Sequence, residues 1–124
     1  MRWYYDLSTD QLFTGPMGMV VPCEVPSGSD YEGKPAGVYA SVYKCDCESD
    51  EEPRIILGRF ELNSRRLAGY LRVLPSDEWV RDKGNLINQI VREFQQECEP
   101  GHRFQQCLPQ TPRMPHNDTT ADNL

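Results

Sequence analysis

Five cysteines and two histidines are the residues of this 124-residue chain whose types and spacing best suit chemistry. The candidates cluster at the ends of predicted elements: Cys45 and Cys47 after a strand, Cys98 at the end of a helix, and His102 and Cys107 just beyond it. Three thiolates and an imidazole can hold a structural zinc ion if the helix end packs against the strand end. The sequence therefore offers a small zinc-binding domain as one hypothesis, with Cys45, Cys47, Cys98 and His102 or Cys107 as ligands.

The spacing of Cys45 and Cys47 favours a second interpretation, in which the cysteines bind no metal. Zinc sites usually present two cysteines separated by two residues or more, and here only one residue separates them. The N-terminal segment shows no apolar signal region, so we expect a cytoplasmic protein whose thiols stay reduced, with Cys98 in the core. A disulfide such as Cys98–Cys107 is a third possibility, restricted to an oxidising environment.

The sequence contains none of the usual catalytic motifs. No phosphate-binding glycine loop, paired-histidine zinc motif or serine nucleophile elbow occurs. Both histidines, His102 and His116, fall in the predicted C-terminal tail, where a general base could not be held within reach of its target. We therefore expect a non-enzymatic protein without a cofactor, zinc being the alternative.

Aromatic and acidic side chains provide the favoured functional hypothesis, a protein-binding or regulatory module. Tyrosine and tryptophan dominate recognition hot spots, and a run of carboxylates suits a basic partner. The candidate binding residues are Trp3, Tyr5, Tyr39, Tyr43, Asp50, Glu51 and Glu52. The sequence therefore predicts an unidentified protein partner, with a basic protein as one candidate, that meets an aromatic sheet face and an acidic surface.

The N-terminal residues carry one partial family resemblance. Trp3-x-Tyr5 followed by Gly15-Pro16-Met17 resembles the opening of a GYF domain, a module that binds proline-rich peptides. The resemblance covers residues 3–17 and does not extend to the Gly-Tyr-Phe signature of that family. It implies peptide binding as an activity, and no binding residue is transferred from it.

The charge of the chain restricts its partners. The formal net charge is −6, and residues 100–124 contribute nothing to it because two arginines balance two aspartates. An acidic body argues against affinity that depends on neutralising nucleic-acid phosphates or anionic lipid. No stretch approaches 18 consecutive apolar residues, so we expect no membrane-spanning helix.

The pattern of apolar residues predicts a small antiparallel sheet of about four or five strands with one long C-terminal helix on it, an α+β fold. The predicted strands cover residues 2–6, 11–14, 17–21, 37–45 and 54–62, and residues 63–74 suit either a strand or a helix, with a slight preference for a strand. A short helical turn is predicted around Trp79 and Val80, and a main helix over residues 85–98. Residues 1–99 then form a single domain, followed by a proline-rich tail over residues 100–124.

Overall fold

The computed structural model describes residues 1–63 and 66–109, and side chains of 1–61 and 67–109. Its elements in chain order are β1 (Arg2–Asp6), β2 (Gln11–Gly15), β3 (Asp30–Tyr31), β4 (Lys34–Pro35), β5 (Gly37–Lys44), β6 (Arg54–Asn63), β7 (Arg66–Val73), β8 (Val80–Asp82), α1 (Leu86–Gln95) and β9 (Gln105–Gln106). Strands account for 41% of the structure and helix for 10%. The fold is therefore mostly β, and the predicted α+β fold with a long helix on a small sheet is wrong.

Within the described residues, seven strands form one antiparallel sheet in the order β2-β1-β5-β6-β7-β8, and β9 pairs with the far end of β5. The strands β3 and β4 form a separate hairpin. The central strand β5 has the alternation expected of a sheet with two different faces, because Val38, Ala40 and Val42 point one way and Tyr39 and Tyr43 the other.

The described part of the ambiguous segment at residues 63–74 is mostly a strand. Residues 66–73 form β7, which pairs with β6 from Ile56–Val73 to Asn63–Arg66. A hairpin satisfies the backbone groups of both strands, and Gly69 fits a strand better than a helix interior. The preference for a strand is confirmed.

The C-terminal helix is shorter than predicted. It spans Leu86–Gln95 instead of residues 85–98, and Val80 lies in the edge strand β8 instead of a helical turn. Ser76 and Asp77 are residue types that often begin a helix. Pairing of Val80–Asp82 with the open edge of β7 nevertheless places this segment in a strand. No described helix is long and apolar enough to cross a membrane.

Two further predictions, one for a strand and one for the tail, differ from the structure. The predicted strand at residues 17–21 is a loop, and it is held to β5 where the Tyr39 hydroxyl donates to the Met19 carbonyl at 2.7 Å. The segment predicted as a tail begins with residues that pack on the sheet, since Phe104 is buried and Cys107 N–H donates to Val42 O at 2.7 Å. The remaining part of the tail predicted over residues 100–124, residues 110–124, lies outside the described residues.

The sheet buries a different cluster on each face. One face, which we call the loop face, is covered mainly by loops, and its buried residues are Tyr5, Leu7, Val38, Ala40 and Leu57. The other, the helix face, buries Tyr43, Ile56 and Phe104 beneath Ile87, Ile90, Val91 and Phe94 of the helix. Because α1 is only ten residues long, it covers one end of the helix face and leaves the other end to other side chains.

Asp6 ties the β1–β2 turn to the loop that follows residue 25. Its carboxylate is buried and accepts hydrogen bonds from Ser8 N (2.9 Å), Ser8 Oγ (2.5 Å) and Ser27 Oγ (2.8 Å). Burial opposes ionisation of this group, but hydrogen bonds from Ser8, Ser27 and Thr9 more than offset it and hold its pKa below the ordinary value.

Replacing Asp6 by asparagine is expected to lower the free energy of unfolding at neutral pH by about 2 kcal/mol, because a charged acceptor of several hydrogen bonds is lost. The stability that Asp6 contributes is full above its unfolded-state pKa of about 4 and is lost as pH falls through the lower folded-state pKa. Urea denaturation at a series of pH values checks this. Asp77→Asn, at an exposed carboxylate, is the matched control, and equal pH profiles for the two variants would contradict the prediction.

Candidate functional site

The predicted cysteine cluster does assemble, but as disulfides. Cys45 is bonded to Cys98 and Cys47 to Cys107, with Cα–Cα distances of 5.5 and 5.6 Å. The first bond joins the loop after β5 to the chain just beyond α1, and the second joins the same loop to the residue after β9. The expectation that these cysteines remain thiols is not met for four of the five, and Cys23 is free.

The zinc hypothesis does not fit this bonding. Zinc is held by thiolates, and a cysteine sulfur in a disulfide has no thiolate to donate. His102 lines a shallow surface depression together with Cys45 and Cys98, so the predicted neighbours are present, but they do not form a ligand set. Among residues 1–63 and 66–109, no group of three or more metal-binding side chains is placed to hold an ion.

The aromatic residues predicted to bind a partner are divided between the two faces. Trp3 and Tyr5 belong to the loop face, where Tyr5 is buried and Trp3 packs against the core. Tyr43 is buried under the helix and stacks on Phe104 with ring centroids 5.2 Å apart, and its burial raises the pKa of its hydroxyl. Of this set, only Tyr39 lies at the open end of the helix face.

The predicted acidic surface is partly used inside its own loop. The Glu51 carboxylate accepts hydrogen bonds from Ser49 Oγ, Asp46 N and Cys45 N. The Ser49 hydroxyl is the main cause of the lowered pKa of Glu51, and the two backbone N–H groups add to it while burial works against it. Asp50 and Glu52 are exposed and remain available to a partner.

The open end of the helix face contains a groove whose floor is formed by two glycines. Gly58 on β6 and Gly69 on β7 lie on this face, and the space above them is a cavity of about 370 Å³. A Cβ atom built on Gly69 would lie 3.6 Å from Phe60 Cε1, an ordinary contact, so the backbone does not require glycine there. Because the two glycines have no side chains, the cavity above them stays open, and its volume is within the range of ligand-binding pockets.

Tyr39 and Phe60 line the groove with their rings, and a row of further aromatic rings supports Tyr39 from the neighbouring strands. The rings of Phe13, Tyr4 and Tyr39 follow each other across β2, β1 and β5, with centroid distances of 5.6 and 5.9 Å. The ring of Phe60 meets Tyr39 edge to face at 6.2 Å and is 47% exposed. The Tyr4 hydroxyl donates to the Pro16 carbonyl at 2.5 Å, as Tyr39 does to Met19, so both tyrosines are fixed in place. The aromatic lining is therefore anchored at Tyr39 and ends in the half-exposed ring of Phe60.

Charged side chains stand at the two ends of the groove. Arg2 on β1 places its guanidinium carbon 4.5 Å from the Tyr39 ring centre and 5.5 Å from that of Tyr4. Its Nε is buried and has no hydrogen-bond partner among the described residues. At the other end, Asp82 on β8 accepts a hydrogen bond from Gly84 N at 2.9 Å through Oδ1. Helix residue Ile87 closes the side towards α1.

Of the residues that line this groove, only Tyr39 was among the candidate binding residues, and the five that form its floor, its ends and its half-exposed ring were not. They are Arg2, Gly58, Phe60, Gly69 and Asp82. The sequence signal for the groove was one glycine in each of two consecutive apolar segments, residues 54–62 and 63–74. In the observed register, Gly58 and Gly69 are two residues apart along the hairpin and therefore share a face.

No family model matches the sequence, and no curated protein and no solved structure matches it significantly. The partial resemblance to a GYF domain is therefore not supported by a family match.

Proposed function

We propose that this protein is a non-enzymatic protein-binding module that takes up an extended segment of a partner in the groove above Gly58 and Gly69. The observation that carries the proposal is the glycine floor between the half-exposed Phe60 ring and Ile87. An exposed aromatic ring beside an unfilled apolar trough is the arrangement in which a partner side chain buries most surface.

The chemistry of the lining supports binding in preference to catalysis. The groove is lined mostly by apolar and aromatic side chains, with Ser41 as its hydroxyl-bearing serine, and no histidine or cysteine is among its described lining residues. A serine without a base within reach is a weak nucleophile, whereas the same side chain can donate one hydrogen bond to a bound peptide.

The two disulfides support a location that differs from the cytoplasm expected from the sequence. Disulfides form and persist in oxidising compartments and are rare where thiol reductants are abundant. We therefore infer that the module meets its partner in an oxidising environment.

Selection of short random peptides on the immobilised, oxidised protein tests the binding function. Peptides recovered on the wild type should lose at least tenfold in affinity on Phe60→Ala and all measurable affinity on Gly69→Leu, whose side chain fills the groove. Fluorescence anisotropy with the labelled peptides gives these affinities.

Leu67→Ala is the matched control, because Leu67 is an exposed apolar residue of the same hairpin and does not line the groove. It should leave affinity unchanged. Peptides that bind wild type and Gly69→Leu equally well would show that the groove is not the binding site.

A further inference from the structure

The groove has a direction because its two ends carry opposite charges. It crosses the sheet from Arg2 on β1 over β5, β6 and β7 to Asp82 on β8. Four strand spacings of about 4.8 Å make this path about 19 Å, which is the length of about five or six residues of extended chain. The dimensions therefore suit a short extended peptide lying across the strands.

The guanidinium of Arg2 lacks the partner that such a group normally has. The ion pairs among the described residues join Arg54 to Glu97 and Arg59 to Glu61, and neither involves Arg2. The Arg2 guanidinium lies against the Tyr4 and Tyr39 rings, and its buried Nε makes no hydrogen bond to a described residue. Because Nε is shielded from solvent, a ligand oxygen would reach this guanidinium through its Nη groups, for which the described residues provide no ion pair.

A carboxylate is the ligand group that matches Arg2 best. The Arg2 guanidinium carbon lies 4.5 Å from the Tyr39 ring centre, which restricts the position of the group, and the edge of a guanidinium presents two parallel N–H donors to one planar acceptor. At the opposite end, Asp82 uses Oδ1 within its own turn and has no ion pair among the described residues, so Oδ2 can accept from a cation.

We propose that the bound segment is an extended peptide that carries a carboxylate at the Arg2 end and an amine or guanidinium at the Asp82 end, with apolar side chains between them over Gly58 and Gly69. This inference rests on the proposed binding function and specifies its ligand. It identifies the partner as a protein with an exposed acidic–apolar–basic segment.

Parallel selections from the random-peptide library on wild type, Arg2→Gln and Asp82→Asn test the charges separately from the binding function. Wild-type peptides should be enriched in aspartate or glutamate near one end and lysine or arginine near the other. Changing that acid to its amide should reduce affinity for wild type by roughly tenfold to a hundredfold, the range expected for a hydrogen-bonded charge. The same change should leave affinity for Arg2→Gln nearly unaltered.

Each outcome separates the two proposals. Peptides that Gly69→Leu blocks but that show no acidic enrichment would overturn the charge assignment and leave the binding function standing. Failure to recover any peptide that Gly69→Leu blocks would remove both. Groove amide resonances that shift with protein concentration alone would indicate occupation by a second copy, which also overturns the inference. Arg2→Lys keeps the charge without the planar fork, and it should recover part of the affinity if Arg2→Gln folds less stably.

Discussion

Replacing Cys47 and Cys107 together by serine is expected to lower the free energy of unfolding by about 3 kcal/mol. Because the Cys45–Cys98 bond stays intact, the Cys47–Cys107 bond closes an effective loop of about a dozen residues in the unfolded chain, and the loss of its closure entropy gives this value. The bond also fixes the end of β9, a strand of two exposed residues. Guanidinium denaturation of the oxidised proteins measures the change, and hydrogen exchange should show β9 opening before the rest of the sheet.

Cys23→Ser is the control, because Cys23 is free and its loss removes no cross-link. We expect it to cost about 1 kcal/mol or less. The wild-type protein denatured without reductant should expose one thiol per chain, and five would show that the disulfides do not form. An unchanged unfolding midpoint in the double variant would mean that the Cys47–Cys107 bond adds no stability.

Substituting alanine for Gly37 is expected to lower the free energy of unfolding by about 3 kcal/mol. A Cβ atom there would lie 2.5 Å from the Cys23 sulfur and 2.7 Å from its carbonyl oxygen, distances that force the backbone apart. The two residues also exchange hydrogen bonds of 2.9 and 3.0 Å, which this movement would strain. Urea denaturation measures the loss.

Gly58→Ala is the matched control for this prediction. It also adds one methyl group to a glycine in the sheet, but its nearest neighbour is Leu71 Cδ2 at 3.6 Å. We expect a change of less than about 1 kcal/mol. Equal losses at the two glycines would mean that the close approach of Cys23 to β5 is not rigid.

The strands with clear alternation could be predicted from the sequence, and those without it could not. The central strand β5 and the β6–β7 hairpin carry long apolar patterns that only one register can bury. The strands β8 and β9 are three and two residues long and carry no pattern of their own, since they exist because β7 and β5 have open edges. Missing these strands and lengthening the helix produced the wrong fold class.

The cysteine pairing was beyond what spacing can establish. Five cysteines permit many pairings, and the sequence shows which are near an element's end but not which ends meet. On an extended chain, Cys45 and Cys47 would point the same way, because they are two residues apart. In the structure β5 ends at Lys44, so both cysteines lie in the following loop and reach different partners.

The groove could be predicted only in part. Tyr39 was chosen for its aromatic ring, and the composition gave no reason to prefer it over Tyr5 or Tyr43, which the fold buries. Tyr5 is excluded because it points to the loop face. Tyr39 and Tyr43 share the helix face, and they differ because α1 covers Tyr43 and stops short of Tyr39. Arg2 and Asp82 share the helix face but lie on β1 and β8, four strand positions apart. That they stand at the two ends of one groove is therefore visible only once the strand order is known.

The central claim is that a partner segment occupies the groove above Gly58 and Gly69. The most direct test is to follow the amide resonances of the oxidised full-length protein while a library-selected peptide is added. The account predicts shifts concentrated at Arg2, Tyr39, Gly58, Gly69 and Asp82, and no such shifts in Gly69→Leu. Shifts confined to the acidic loop at residues 46–52, with the groove unaffected, would contradict it.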